Sequence, residues 1–452
     1  MAITPEELGT QDIKKLLIKQ AVPASVGILF MSVNILVDTI FVGQWIGSLA
    51  IAAVTVVMPI TFLVSSLGMA IGVGGSSIIS RALGAGDKEK ARYVFGNQIM
   101  MTVMLSVLFV VIGLVFSDEV LFLFGAKGTI LTPAKEFYFP VLMSVPFLAL
   151  CMMGNTVIRA EGKAKFAMVA MIIPALANII LDIIFMKGFG LGIFGSALAT
   201  AVSYTLCFSF VAWFFFSKNS LLKPKITHFY FQKEIVKEIT SLSIVTFSRQ
   251  GVISVLAIIL NHTLYSYGGE HSVAIYGIIS RMLMFALFPI LGITHGFLPI
   301  AGYNYGAENY IRVKEIINIS IKYAAVLATL IFIVILIFAE PIVSVFTTDA
   351  KVIAETPQAL RWVFAASPII AIQLIGAAYF QAAGKAKKAL LLTLSKQGFF
   401  LIPLVLILPN FFGIFGVWVS FPIADVLSTI LTGFFLKKEM TTYLTKPDHG
   451  IL

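Results

Sequence analysis

Twelve apolar stretches, each long enough to cross a lipid bilayer, constrain this chain more than any other feature of its sequence. A helix needs about 20 predominantly apolar residues to span the hydrocarbon core. The stretches are 19–43, 50–75, 93–117, 136–158, 166–187, 193–216, 240–266, 273–297, 315–339, 358–381, 389–408 and 414–436. Composition excludes a soluble alternative. Of 452 residues, 59% are hydrophobic and 12% charged, with 39 Phe, so a fold in water would expose large apolar patches. The expected fold class is an all-α polytopic membrane protein.

The distribution of charge sets the topology. Of 32 Lys and Arg, 23 fall in or beside alternate inter-span segments, five in or beside the segments between, and four deeper inside spans. Basic residues collect on the cytoplasmic side, which predicts an even number of spans with both termini cytoplasmic. The net charge of +10 is thereby accounted for and implies no nucleic-acid partner. Cys151 and Cys207 lie in apolar segments and read as small core residues. No Cys/His cluster has zinc spacing. The first twenty residues carry acids before their lysines and lack a small-residue cleavage site, so the first stretch is expected to be an uncleaved helix. The loop around Gly84, RALGAGDKEKAR, lacks Gly-Lys-Ser/Thr and a preceding strand. It is no phosphate loop, and ATP is not an expected energy source.

The two halves are related. PFLALCMMGNTVIRAEGKAK from Pro146 aligns with PIIAIQLIGAAYFQAAGKAK from Pro368, and the loop around Gly84 with YNYGAENYIRVK around Gly306, both at an offset of 222. GIFG recurs at Gly192 and Gly413, an offset of 221. Each half holds six spans, so both enter from the same side. Parallel repeats are related by a pseudo-twofold axis along the membrane normal, as in two bundles that rock about a central cleft. The expected organisation is an N-lobe at 1–216, a cytoplasmic linker at 217–239 and a C-lobe at 240–452.

Ionisable groups inside a bilayer are costly and functional by default. Asp38 on span 1 and Asp182 on span 5 are such groups. Asn34 and Asn178 each precede them by four residues, one helical turn, and so share their faces. At ~1.5 Å per residue, Asp38 and Asp182 lie roughly 8 and 9 Å below the outer end of their spans, and Thr200 on span 6 roughly 12 Å in. Three helices thus bring oxygen ligands to similar depth. Carboxylate, amide and hydroxyl oxygens suit a hard cation or a shared proton.

VDTIFVG at 37–43, the Gly84 loop, IRAEG at 158–162, PIAGYNYGA at 299–307 and the six-plus-six spans resemble the multidrug and toxic compound extrusion transporters, in the DinF-like, MepA-like branch. The resemblance covers essentially the whole chain. It implies a secondary active transporter and no enzyme. The cargo would be small organic, mostly cationic drugs, exported by alternating access in exchange for H⁺ or Na⁺. It implies a coupling site of Asp38, Asn178, Asp182 and Thr200, able to take Na⁺ as its only metal, and a hinge at Pro23, fifteen residues before Asp38. Asn34, Asn155, Met171 and Tyr204 would line the substrate cleft. A monomer in a bacterial or archaeal cytoplasmic membrane, without cofactor, is the expected context. The alternative is a flippase or exporter of a lipid-linked or amphipathic metabolite in the same superfamily. Spans 7 and 10 carry no acid, unlike the family's NorM-like branch, which disfavours a cation site in the second lobe.

Further polar groups fall inside spans. Asp425 lies midway along span 12 and Arg281 on span 8, a secondary pair of candidates for coupling or for a structural ion pair. Arg249, His262, Lys322 and Lys396 are scattered. Glu161, in the turn after span 4, is expected to form a surface ion pair. Met31, Met152, Met153, Met168 and Met171 on spans 1, 4 and 5 offer adaptable apolar surface.

Overall fold

A computed structural model describes residues 6–347 and 349–445. Its regular elements, among the described residues, are all helices. Span 1 is Ile13–Trp45, span 2 Leu49–Gly84, span 3 Lys88–Val115, span 4 Gly128–Ala160, span 5 Ala164–Gly188 and span 6 Gly192–Phe216. A helical stretch of 74 residues, Lys233–Gly306, contains spans 7 and 8. They meet at Gly269, whose φ of 64° breaks the helix in a region that favours glycine. Span 9 is Tyr310–Phe346, span 10 Ala350–Ala382, span 11 Ala386–Phe412 and span 12 Ile414–Thr442. The twelve expected spans are therefore present, most of them longer than their apolar cores. The helices continue into charged turns, as at Lys88–Glu89–Lys90, where hydropathy no longer marks them but backbone hydrogen bonding does.

The chain divides into two compact units. One contains Val26–Thr246; the other contains Glu6–Ser25 and Phe247–Leu452. The division differs from lobes at 1–216 and 240–452 at the start of each half. Residues 6–25 belong with the second unit, and residues up to 246 with the first. Small residues explain both assignments. Gly292 and Gly296 on span 8 form a G-x-x-x-G pair, and a Cβ on Gly296 would lie 2.8 Å from the Ala21 nitrogen and 3.1 Å from its Cα. Only glycine lets the two backbones approach this closely. Gly74, at the repeat-equivalent position on span 2, does the same in the first unit: its Cβ would lie 2.8 Å from the Ile239 carbonyl oxygen. Each half's first helix thus begins in the unit of the other half. The N-terminal end is fixed further within the second unit. Asn304 donates to the Leu8 carbonyl at 2.9 Å and Arg312 to the Gln11 carbonyl at 2.7 Å.

Within the first unit, spans 2 and 4 also meet through glycine. A Cβ on Gly68 would lie 2.8 Å from Ala149 Cα, and one on Gly72 2.9 Å from Met153 Cα. An apolar core that includes Val42, Val57, Tyr138, Leu142 and Met186 also takes in Ala149 of this contact. The second unit has its own core, including Leu256, Leu260, Ile279, Phe364, Trp418 and Phe421.

The 217–239 segment is anchored rather than free. His228 is fully buried and its Nε2 lies 2.9 Å from a Glu89 carboxylate oxygen. Asn97 donates to the Tyr230 carbonyl at 3.1 Å and accepts from the Gln232 amide at 3.1 Å. Glu161 corrects the expectation of a surface ion pair: it is fully buried. It accepts from the Ser220 hydroxyl at 2.6 Å and from the Leu221 amide at 3.1 Å. Burial pushes its carboxyl up to about 7 from the ordinary 4.5, against the opposing hydrogen bonds of Ser220, Leu221 and Leu222 and the charge of Lys163.

Gly296→Val should lower the thermal unfolding midpoint by the equivalent of about 1–3 kcal/mol of overpacking and expose residues 6–25 to protease. Glu161 yields a pH test. The folded state holds its proton up to pH about 7, whereas the unfolded chain releases it near 4.5. Stability from this group is present below pH 4.5 and lost as pH rises through 7, by at most ~3 kcal/mol. Glu161→Gln should flatten that slope between pH 5 and 8, read as unfolding midpoints of variant and wild type.

Candidate functional site

The polar residues of spans 1, 5 and 6 meet in one cluster inside the first unit. Span 5 is α-helical over Ala164–Asp182 and passes directly into a π-turn, Ile183–Gly188. Such turns shift the helical register and recur at functional sites. Asn178 and Asp182 face inward from the turn before it, at 5% and 0% exposure. Span 1 presents Asn34 and Asp38, and span 6 presents Ser196 and Thr200, both pairs one helical turn apart.

The hydrogen bonds run across all three helices. Asn34 Nδ2 donates to Asn178 Oδ1 at 2.8 Å and to the Ala175 carbonyl at 3.3 Å. Asn178 Nδ2 donates to Thr200 Oγ1 at 3.4 Å. Ser196 Oγ donates to Asp38 Oδ1 at 3.3 Å. The Asp38 and Asp182 carboxyl groups lie within electrostatic reach of each other. The structure therefore brings together Asp38, Asn178, Asp182 and Thr200, with Asn34 bonded into the same network. Ser196 escaped the sequence reading. Its signal was available: it lies four residues before Thr200, on the same face.

The electrostatics of the cluster are unbalanced. Neither carboxylate oxygen of Asp182 receives a hydrogen bond from a described residue. Its neighbour is the second carboxyl, Asp38, which as a carboxylate has no proton to give. Two acceptors facing each other in a low-dielectric site repel unless a proton or cation lies between them. Among the described residues, no group of three or more His, Cys, Asp or Glu could hold a metal ion. The donor set is instead two carboxylates with amide and hydroxyl oxygens, which fits a hard monovalent cation or a proton as a transported species.

The remaining candidates fall elsewhere. Tyr204 lies within electrostatic reach of Asp38. Asn155 and Met171 meet at a different point, on Arg159, a residue that sequence reasoning counted only as a basic residue outside the spans. Arg159 Nε donates to Asn155 Oδ1 at 3.0 Å and its Nη2 lies 3.2 Å from Met171 Sδ. Asn155 Nδ2 also donates to the Ala167 carbonyl at 2.6 Å. Pro23 is buried inside the continuous helix of span 1, two residues before Ser25, where the chain passes from the second unit into the first. A proline there removes one helical hydrogen bond. Asp425 pairs with Lys396, Nζ to Oδ1 at 2.7 Å. Arg281 is exposed and makes no ion pair among the described residues.

Comparison with known proteins agrees with this architecture. The MatE family model matches residues 23–184 and again 246–407, two equal stretches covering more than half of the chain. The multidrug export protein MepA of Staphylococcus haemolyticus is 29% identical over 416 residues, covering 92% of this chain and 91% of that protein. A solved MOP superfamily transporter from Pyrococcus furiosus superposes with a TM-score of 0.91 at 27% identity, covering 99% of this chain and 100% of that one. An outward-facing structure of a multidrug resistance MATE family transporter gives a TM-score of 0.91 at 26% identity, with the same coverage.

Proposed function

Because the chain belongs to the MatE family, and is a membrane transporter rather than an enzyme, we propose that it exports small organic drugs, mostly cationic, in exchange for H⁺ or Na⁺. The observation that carries the coupling is the nearness of the two acids Asp38 and Asp182, with neither Asp182 oxygen hydrogen-bonded by the described residues. A proton or Na⁺ entering this site relieves the repulsion between the two acids. It also changes what Asn34, Asn178 and Thr200 must satisfy, and Asn34 sits on span 1 eleven residues beyond Pro23. Span 1 is thus the element on which cation binding acts, with Pro23 as its weak point. Cargo and cation would bias opposite states of one equilibrium, which is the thermodynamic requirement for exchange.

Tyr204, Asn34, Asn155 and Met171 are the proposed cargo-facing residues of the first unit. Met171 packs against Gly27 of span 1, whose added Cβ would lie 3.3 Å from Met171 Cβ. Movement of span 1 therefore reaches this group directly. The setting is the cytoplasmic membrane of a bacterium or archaeon, with both termini in the cytoplasm, as the basic-residue bias predicts. A single chain is sufficient, and no nucleotide is consumed.

Asp38→Asn should leave the protein in the membrane at wild-type abundance and abolish its protection of an efflux-deficient host against cationic drugs. Asp182→Asn should do the same. Full resistance with either variant would sink the assignment of the coupling site. Rescue of a flippase-deficient strain, without drug resistance, would identify a lipid-linked metabolite as the cargo instead.

A further inference from the structure

The second unit carries a charge pattern opposite to that of the first. Its Asp425 is engaged by Lys396 at 2.7 Å and is 4% exposed. Lys396 lies in a second π-turn, Ser395–Leu401, within span 11. Val252 of span 7 packs against Gly398 of that turn, whose Cβ would lie 3.5 Å from a Val252 methyl. From this contact the depths of other groups follow. Spans 7 and 11 are both odd-numbered and run in the same direction. Arg249 is one turn before Val252, and Lys396 is two residues before Gly398, so the two cations lie back along their helices by roughly 4.5 and 3 Å.

The direction of Arg249 also follows from helix geometry. It precedes Leu256 by seven residues and Leu260 by eleven, so all three share one face. Leu256 and Leu260 are 6% and 0% exposed in the core of the second unit. Arg249 therefore points towards the interior of its bundle, and it is only partly exposed. It makes no hydrogen bond and no ion pair with any described residue. Lys396, at similar depth, has Asp425 as its partner, whereas Arg249 has no acid paired with it among the described residues.

A lone guanidinium at this depth is expensive, and a planar fork of donors matches a carboxylate or phosphate. We infer that Arg249, at a depth similar to that of Lys396, is a binding site for an anionic group carried by the exported molecule. Building on the export function proposed above, this names a substrate class: amphipathic molecules with a carboxylate or phosphate on an otherwise apolar or cationic body. The acids of the first unit would serve the coupling ion, while the surplus cation of the second would select the cargo. Lys396 is held by Asp425 when no anion is present, and this keeps the site from presenting two unpaired cations.

A matched dye pair tests the inference: a rhodamine with a free carboxylate and the methyl ester of the same rhodamine. Their binding to purified protein in nanodiscs, by fluorescence polarisation, is compared across variants. Arg249→Gln should weaken the carboxylate dye roughly tenfold, the loss of one charge-assisted pair, and leave the ester unchanged. Arg249→Lys, which keeps the charge and the fold but loses the fork, should weaken the acid and spare the ester. Asp425→Asn, which frees Lys396, should tighten the acid form. An acid-to-ester ratio unaltered in both Arg249 variants overturns the inference. Transport of both dyes into proteoliposomes separates it from the export function. If wild type binds the acid selectively yet moves neither dye under an imposed gradient, the export proposal fails and the anion site stands.

Discussion

The absence of water across roughly 30 Å of hydrocarbon is the constraint on which this structure depends. It forces the backbone into helices, since each N–H and C=O must be satisfied within the chain. It also makes every polar side chain in a span answerable to its neighbours. Most comply, as Tyr138 does by donating to the Gly113 carbonyl at 2.9 Å. Against that background the uncompensated groups stand out. In the first unit they include both carboxylate oxygens of Asp182. In the second they include the guanidinium of Arg249, which has no ion-pair partner among the described residues.

The same constraint shapes how the bundles hold their helices. Without a hydrophobic driving force between helices, close approach through glycine becomes a principal source of adhesion. Gly292 and Gly296 hold the start of span 1 in the second unit, and Gly74 holds the start of span 7 in the first. Beyond Ser25, span 1 is held instead by Asn34 on Asn178. A single helix is therefore fastened at two ends by two kinds of contact, with Pro23 at the change-over. A cation that alters the Asn178 network acts on one fastening and leaves the other in place.

Much of this was legible in the sequence. Twelve spans, the duplication and the shared face of Asn178 and Asp182 follow from hydropathy, offset and helical period, because these are properties of single helices. Contacts between helices were less accessible. Ser196 was missed because hydroxyls are common in spans and one alone carries no cost. The exchange of residues 6–25 was missed because G-x-x-x-G at 292–296 names a sticky face but not its partner. Glu161 looked like a surface acid because its turn is charged, yet the returning segment at Ser220 covers it. Lys396 and Asp425 lie 29 residues apart on different helices, and only the fold shows that they meet.

The central claim is that an inward cation gradient, acting through Asp38 and Asp182, drives outward movement of cargo. It is tested most directly with purified protein in sealed proteoliposomes. Dye movement is followed after an imposed pH or Na⁺ gradient, with Asp38→Asn protein alongside. The account predicts transport against the dye gradient that one of the two cations accelerates and the variant lacks. Dye movement at the same rate with no cation gradient, or unchanged in the variant, would contradict it.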